Sequence, residues 1–249
     1  MTLDLPPVPE INFPITCYDN FYEDPDYIRE FALSLDYRAD SGFFPGVRSQ
    51  CLSTISQEFH YKSVNKILSM FDDFDSSKVS WLASSAFQKI WPYHKDKNHT
   101  LNKGWIHSDY SAVLAAVVYL DPEPDIDTGT SFFKPIEGDN FLLNSCRDPN
   151  YTKEEVTDIR NNVFKSMDSC KIDSIKHYER IKEYNNSHFY KTMEVKNCYN
   201  RLITYDANLF HTASNFYSND FRLTQVFFID KMNAPTDKIP KNRCERYGI

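Results

Sequence analysis

Residues 105–120 run Trp105-Ile106-His107-Ser108-Asp109-Tyr110-Ser111-Ala112-Val113-Leu114-Ala115-Ala116-Val117-Val118-Tyr119-Leu120. The second half, Val113 to Leu120, lacks the alternation of a half-solvated strand and reads as a strand apolar on both faces. In the first half, His107 and Asp109 stand two apart, and residues two apart in a strand share a face. An imidazole and a carboxylate aimed at one point are two ligands of a metal ion. The spacing recurs at His94-Lys95-Asp96 and, with Glu, at His177-Tyr178-Glu179, so by itself it says little. Context separates the three. His94 sits in a polar stretch that reads as a solvated loop. His177 falls in a helical pattern, where residues two apart do not face each other. His107 directly precedes the most apolar strand of the chain, where a ligand pair is held in fixed geometry.

Upstream, Met1 to Pro14 has no helical or strand period and reads as an extended arm. Asp24-Pro25 supplies a capping side chain and a first-turn proline, and Ile28, Phe31, Ala32 and Leu35 follow at helical spacing. Phe43 to Arg48, with Pro45-Gly46 at its centre, reads as a turn. Val64, Ile67, Leu68 and Phe71 mark a second amphipathic helix. From Val79 the pattern becomes that of strands, through Trp91. Pro92 to Lys103 reads as a loop, Asp121 to Gly129 as a turn region and Thr130 to Phe133 as a short strand.

Downstream, Thr152 and Glu155 form a capping-box signature, and Ile172, Ile175, Tyr178 and Ile181 mark another amphipathic helix. Residues 135–200 are therefore expected to be a helical insert. Arg201 to Tyr205 and Arg222 to Ile229 read as strands. The strand blocks on either side of the insert must pair, since neither makes a sheet with a core alone. The expectation is one α+β domain over residues 1–249, built on an antiparallel double sheet or jelly roll with helices before it and inserted within it.

The chain has 249 residues, 41% hydrophobic and 25% charged, and a net charge of −7. That composition excludes a mostly disordered chain. The acidic balance argues against a duplex nucleic acid as partner. No apolar run approaches the roughly 20 residues of a membrane span, and no stretch has the zones of a signal peptide, so a cytoplasmic protein with no membrane partner is expected. The six cysteines lack zinc or redox spacing and read as reduced thiols. The basic tail (Lys238, Lys241, Arg243, Arg246) reads as solvated.

A second group lies about a hundred residues beyond Asp109. His211 follows the 201–205 strand. Arg222 and Thr224 then share one strand face, and a buried guanidinium needs an acidic partner. A dicarboxylate cosubstrate would supply it; so would a protein carboxylate, with His211 then a core or turn histidine.

The order His107-x-Asp109, Val117-Val118-Tyr119-Leu120, Gly129-Thr130, His211 and Arg222-Leu223-Thr224 resembles the iron(II)/2-oxoglutarate-dependent oxygenases, in particular their prolyl-hydroxylase-like branch. Tyr18 to Tyr22, Asp24-Pro25, Phe44 to Ser49 and Asn200-Arg201-Leu202 resemble an uncharacterised phage- and bacterium-associated group of that superfamily. The resemblance implies a double-stranded β-helix with His107, Asp109 and His211 on Fe(II). It implies 2-oxoglutarate gripped at its far carboxylate by Arg222, with Tyr119 and Thr224 as hydrogen-bond donors, and O2 as oxidant. The implied reaction is hydroxylation with release of succinate and CO2, in the cytoplasm (of a host, if the chain is viral). Protein side chain, nucleobase and small metabolite are all open as substrate. Retention of Asp109 argues against a halogenase, and His188 is the other histidine weighed as third ligand. Two further readings compete: a catalytically silent jelly-roll binding or virion-associated protein, and a cupin-type lyase or isomerase that needs no Arg222 anchor.

Overall fold

The computed structural model describes residues 13–38, 44–71, 79–109, 111–136, 148, 150–165 and 172–233. Most of the expected amino-terminal arm, residues 137–147 of the expected insert and the basic tail lie outside them. In chain order the elements are β1 (Thr16–Tyr18), α1 (Pro25–Ser34), β2 (Tyr37–Arg38), β3 (Val47–Ser49), α2 (Leu52–Ile55), α3 (Gln57–Leu68), β4 (Ser80–Ile90), β5 (Leu114–Tyr119), β6 (Thr130–Pro135), α4 (Lys153–Lys165), α5 (Ile172–Ser187), β7 (Phe189–Val195), β8 (Leu202–Asp206), β9 (Phe210–Ala213) and β10 (Arg222–Asn233). Short 3-10 turns span Thr100–Asn102 and Ile126–Thr128.

Two antiparallel sheets form. The larger has seven strands in the order β1-β8-β5-β10-β4-β3-β2, and the smaller has three, β7-β6-β9. The strands before and after the helical stretch do pair: β5 lies between β8 and β10, and β6 lies between β7 and β9. This is the expected α+β double sheet of a jelly roll.

The two-residue period of the central strands divides the molecule. Leu114, Ala116 and Val118 of β5, with Leu223, Phe227 and Ile229 of β10, join one core with Ile28, Ala32, Leu52, Val64, Ile67 and Leu68 from the helices. The aromatic centre of that core is Phe87 of β4, whose ring centroid lies 6.0 Å from Phe31 and 6.4 Å from Phe59. Each such fully buried side chain contributes roughly 1.5–3 kcal/mol. The alternate residues point the other way. Ala115 and Tyr119 of β5 pack with Ile203, Tyr205 and Phe132, between the sheets. Arg222, Thr224, Val226, Phe228 and Asp230 of β10 line a cavity on this side. The helix-backed sheet is therefore a rigid wall, and its inner face carries the polar side chains.

Local signals work as read. Asp24 accepts a hydrogen bond from the Tyr27 amide at 2.9 Å and caps α1. The Thr152 hydroxyl accepts from the Glu155 amide at 3.2 Å, while the Thr152 amide donates to Glu155 Oε2 at 2.7 Å. Two readings need correction. Arg48 does not lie in the turn but in β3, paired with Gln88 of β4. Gly46 makes that turn: its φ is +73°, and a Cβ there would meet the Lys89 carbonyl oxygen at 2.0 Å. Within the stretch expected to be helical, residues 189–195 form β7, which pairs along the whole of β6.

Candidate functional site

His107 and His211 come together through their backbones first. The His107 amide donates to the His211 carbonyl at 3.1 Å, and the His211 amide returns a bond to the His107 carbonyl at 2.8 Å. One bridge thus closes a separation of about a hundred residues. Asp109 is held separately: its amide donates to the Ala207 carbonyl at 2.8 Å. His107 and Asp109 therefore converge without the continuous strand expected for them; an isolated bridge and a second hydrogen bond take its place.

The side chains repeat a single device. His107 Nδ1 lies 2.8 Å from the Trp105 carbonyl, and His211 Nδ1 lies 2.8 Å from the Leu209 carbonyl. A carbonyl only accepts, so each Nδ1 carries the proton and each Nε2 presents a lone pair. The Nε2 atoms face Asp109, at 3.7 Å from Oδ1 for His107 and 3.3 Å from Oδ2 for His211. One donor atom from each of the three residues lies within 4.8 Å of the others, among the described residues the one such cluster of His, Cys, Asp or Glu. His107 is partly open to the cavity, yet desolvation by the surrounding protein and the proximity of His211 bring its pKa down to about 4. Burial opposes ionisation of Asp109, but the neighbouring His211 and His107 and the Arg48 guanidinium outweigh it and hold that carboxyl at about 2. A neutral imidazole and an ionised carboxylate are the states that bind a divalent cation. Two imidazoles and one carboxylate on one side of a cavity also suit a metal that keeps open positions. The donor set fits Fe(II).

Tyr205 backs this group, its ring centroid 4.5 Å from that of His211 and its hydroxyl pKa pushed up by burial and by Asp109. Helix α5 braces the segment that carries His107. Asn186 Oδ1 accepts from the Ile106 amide and its Nδ2 donates to the Gly104 carbonyl, both at 3.1 Å. Asn185 Nδ2 donates to the Ile106 carbonyl at 3.1 Å. Lys182 Nζ donates to the Lys103 carbonyl at 3.0 Å and also to that of Thr100.

Arg222, Tyr119 and Thr224 meet at another part of the wall. Thr224 and Tyr119 are cross-strand partners. Arg222 is 4% exposed, its Nε donating to the Thr128 carbonyl at 2.8 Å and its Cζ lying 5.4 Å from the Tyr119 ring centroid. Among the described residues no carboxylate lies within ion-pair distance of it. Asp121 is close enough to act on it by charge, but burial lifts that carboxyl to about 6. Burial pushes the Arg222 pKa down, an environment that calls for an anion. Tyr119 Oη lies 2.8 Å from Thr130 Oγ1. The Thr224 hydroxyl is buried with no partner among the described residues, an arrangement that costs about 1–3 kcal/mol unless something binds there.

His107, Asp109, His211, Arg222 and Thr224 line one cavity of about 680 Å³, whereas Tyr119 is fully buried and does not line it. The other candidates lie elsewhere. His94 stacks on His99 at 3.8 Å, and His188 packs against Tyr184. His177 pairs with Tyr151. Of the nearby aromatics, Trp105 lines the cavity, Phe132 is buried against Tyr205, and the Tyr93 hydroxyl accepts from the Gly46 amide. Arg48, Arg160 and the Asn185-Asn186 pair carried no role in the sequence reading. Arg48 had one signal, the Pro-Gly turn before it. The asparagines had none, because their role comes from what α5 packs against.

No helix among the described residues is long and apolar enough to cross a membrane. No curated protein matches the chain. Among solved structures, HygX from Streptomyces hygroscopicus with nickel, 2-oxoglutarate and hygromycin B bound aligns over 89% of this chain and 83% of its own, at 14% identity and a TM-score of 0.50. At that identity the likeness is one of fold. The epimerase SnoN, in complex with Fe3+, alpha ketoglutarate and nogalamycin RO, aligns over 88% of this chain and 80% of its own at 12% identity and a TM-score of 0.47. A prolyl hydroxylase from Trichoplax adhaerens, in complex with a hypoxia inducible factor peptide fragment, covers 86% of this chain and 82% of its own at 9% identity and a TM-score of 0.45. A family model matches residues 1–221, and the chain belongs to that family, DUF6445, a family of unknown function.

Proposed function

We propose that this chain is an Fe(II)- and 2-oxoglutarate-dependent oxygenase, of the prolyl-hydroxylase-like kind, that hydroxylates a substrate held in the cavity. One observation carries the reading: two Nε2 lone pairs and an ionised carboxylate converge in the same cavity as a buried arginine that has no carboxylate partner among the described residues. A fold shared with a protein that holds nickel and 2-oxoglutarate supports it. His107, Asp109 and His211 hold the metal, each imidazole kept in orientation by a backbone carbonyl. Arg222 takes the far carboxylate of 2-oxoglutarate with its planar fork, and the hydroxyls of Thr224 and Tyr119 complete that grip. Iron(II), when bound, supplies the oxidative decarboxylation of 2-oxoglutarate by O2 to succinate and CO2, coupled to oxygen insertion into a C–H bond. The protein orients both partners and keeps water out with the apolar wall of Trp105, Phe189, Phe210 and Phe228.

The test is succinate release from 2-oxoglutarate by the purified protein with Fe(II) under air, without added substrate. Slow turnover is expected, abolished in Asp109→Ala and His211→Ala. Succinate formation that persists in either variant refutes the ligand assignment. Failure of the protein to bind Fe(II) or Mn(II) leaves the silent jelly-roll reading instead.

A further inference from the structure

The cavity holds more positive charge than the proposed cosubstrate uses. Arg48, Arg160 and Arg222 all line it. Arg222 is assigned to 2-oxoglutarate and Asp109 to the metal. Arg160, from α4, reaches the same space with its Cζ 4.7 Å from the Trp105 ring centroid. Arg48 is the most confined cation left over. Its guanidinium lies over the Phe44 ring, Cζ 3.9 Å from the centroid, and 5.4 Å from that of Phe228. Its Nε donates to Gln88 Oε1 at 3.3 Å, and Gln88 in turn donates to the Pro45 carbonyl at 2.7 Å. The guanidinium is thus held against an aromatic ring and through one donor. The two Nη groups, the edge of the fork, make no hydrogen bond to any described residue. Among the described residues no carboxylate ion-pairs with Arg48, although it feels the charge of Asp109.

We propose that the Nη edge of Arg48 binds an anionic group of the substrate, a carboxylate or a phosphate, beside the metal centre. This rests on the oxygenase reading above. Three features argue for it. A cation withdrawn from water without a counter-charge is costly, and the attraction of an arriving anion offsets that cost. A planar guanidinium held against the Phe44 ring and by Gln88 loses little freedom on binding, which suits a two-bond grip of a carboxylate or phosphate. The one other acidic side chain lining the cavity among the described residues, Asp230, makes no ion pair with Arg48. With cosubstrate and metal in place, Arg48 leaves the space beside it electropositive, which selects an acidic substrate over a basic one.

The test uses the full chain loaded with Mn(II) and saturating 2-oxoglutarate, so that Arg222 is occupied. Inorganic phosphate and acetate are the probes, and the readout is the paramagnetic enhancement of their nuclear relaxation, which reports approach to the metal. The expected result is an enhancement that falls at least tenfold in Arg48→Met and in the more conservative Arg48→Gln, and is partly kept in Arg48→Lys. Stronger enhancement for phosphate points to a phosphorylated substrate, and for acetate to a carboxylic acid. Equal enhancement in wild type and both neutral variants overturns the proposal. A second measurement is independent of metal: the rise in melting temperature with phosphate or acetate at constant ionic strength, in metal-free Arg222→Met protein. Loss of that rise on adding Arg48→Gln supports the site even if Mn(II) fails to bind, in which case the oxygenase reading falls alone. Mn(II) binding with no anion effect in either measurement removes Arg48 alone.

Discussion

Replacing Arg222 with Met tests the cosubstrate grip most directly, because the same substitution should weaken binding and strengthen the fold. Arg222 is 4% exposed, donates to the Thr128 carbonyl through Nε, and has no ion-pairing carboxylate among the described residues. Its Nη groups are the part of the fork left for a bound carboxylate. Two charge-assisted hydrogen bonds at about 1.5–3 kcal/mol each amount to roughly 3–6 kcal/mol lost on truncation. That corresponds to about a 10²- to 10⁴-fold weaker dissociation constant for 2-oxoglutarate. Removing an unpaired buried cation relieves desolvation, so the metal-free variant should melt at or above the wild-type temperature. The assay is calorimetric titration of Mn(II)-loaded protein with 2-oxoglutarate and with 2-oxobutyrate, which lacks the far carboxylate. Wild type should prefer 2-oxoglutarate strongly, and the variant should bind the two within a few-fold of each other. A variant that still discriminates as wild type does would show that the far carboxylate is read elsewhere, and the assignment of Arg222 would be wrong.

Thr224→Val removes the orphaned hydroxyl at nearly constant volume; 2-oxoglutarate binding should weaken about five- to tenfold, for a bond of about 1 kcal/mol, while the melting temperature of the metal-free protein stays level or rises. Asn186→Ala frees the backbone beside His107 and should weaken Mn(II) binding about tenfold or more, as outer partners of metal ligands do, read by electron paramagnetic resonance; unchanged affinity would mean the bridge to His211 suffices. Lys182, 1% exposed, has its pKa lowered by burial to about 8. The unfolded chain therefore binds more protons between pH 8 and about 10.5, and stability should rise with pH across that window, by about 3 kcal/mol at most from this group. Denaturant titrations of wild type and Lys182→Met at pH 7.5 and 10 should differ by that slope, and parallel curves would contradict it.

What could be read from the sequence, and what could not, follows from which forces are local. The apolar run of β5, the capped helices and the order of His107, Asp109, His211 and Arg222 are local or periodic, and they survive into the structure. Strand β7 escaped because it is an edge strand: Tyr190, Lys191, Thr192 and Met193 are exposed, so no alternation marks it. The convergence of His107 with Asp109 was expected for a reason the fold does not use, since a single bridge and the Ala207 carbonyl hold them instead of a strand. Arg48 and the asparagines of α5 acquire their meaning from the partners they meet across the molecule, Phe228 in one case and the Gly104–Ile106 backbone in the other.

The clamp between α5 and residues 100–106 also bears on how this family can change. An engineer seeking a minimal catalyst would be tempted to splice β6 to β7 with a tight hairpin, since the two strands are already neighbours. That edit deletes the buttress of the arc that ends in His107 and strips the backbone at Lys103, Gly104 and Ile106 of its side-chain partners. Room for change lies on α4, where Val156 and Thr157 front the cavity; α5 is a keystone, and remodelling it would loosen the arch that carries His107.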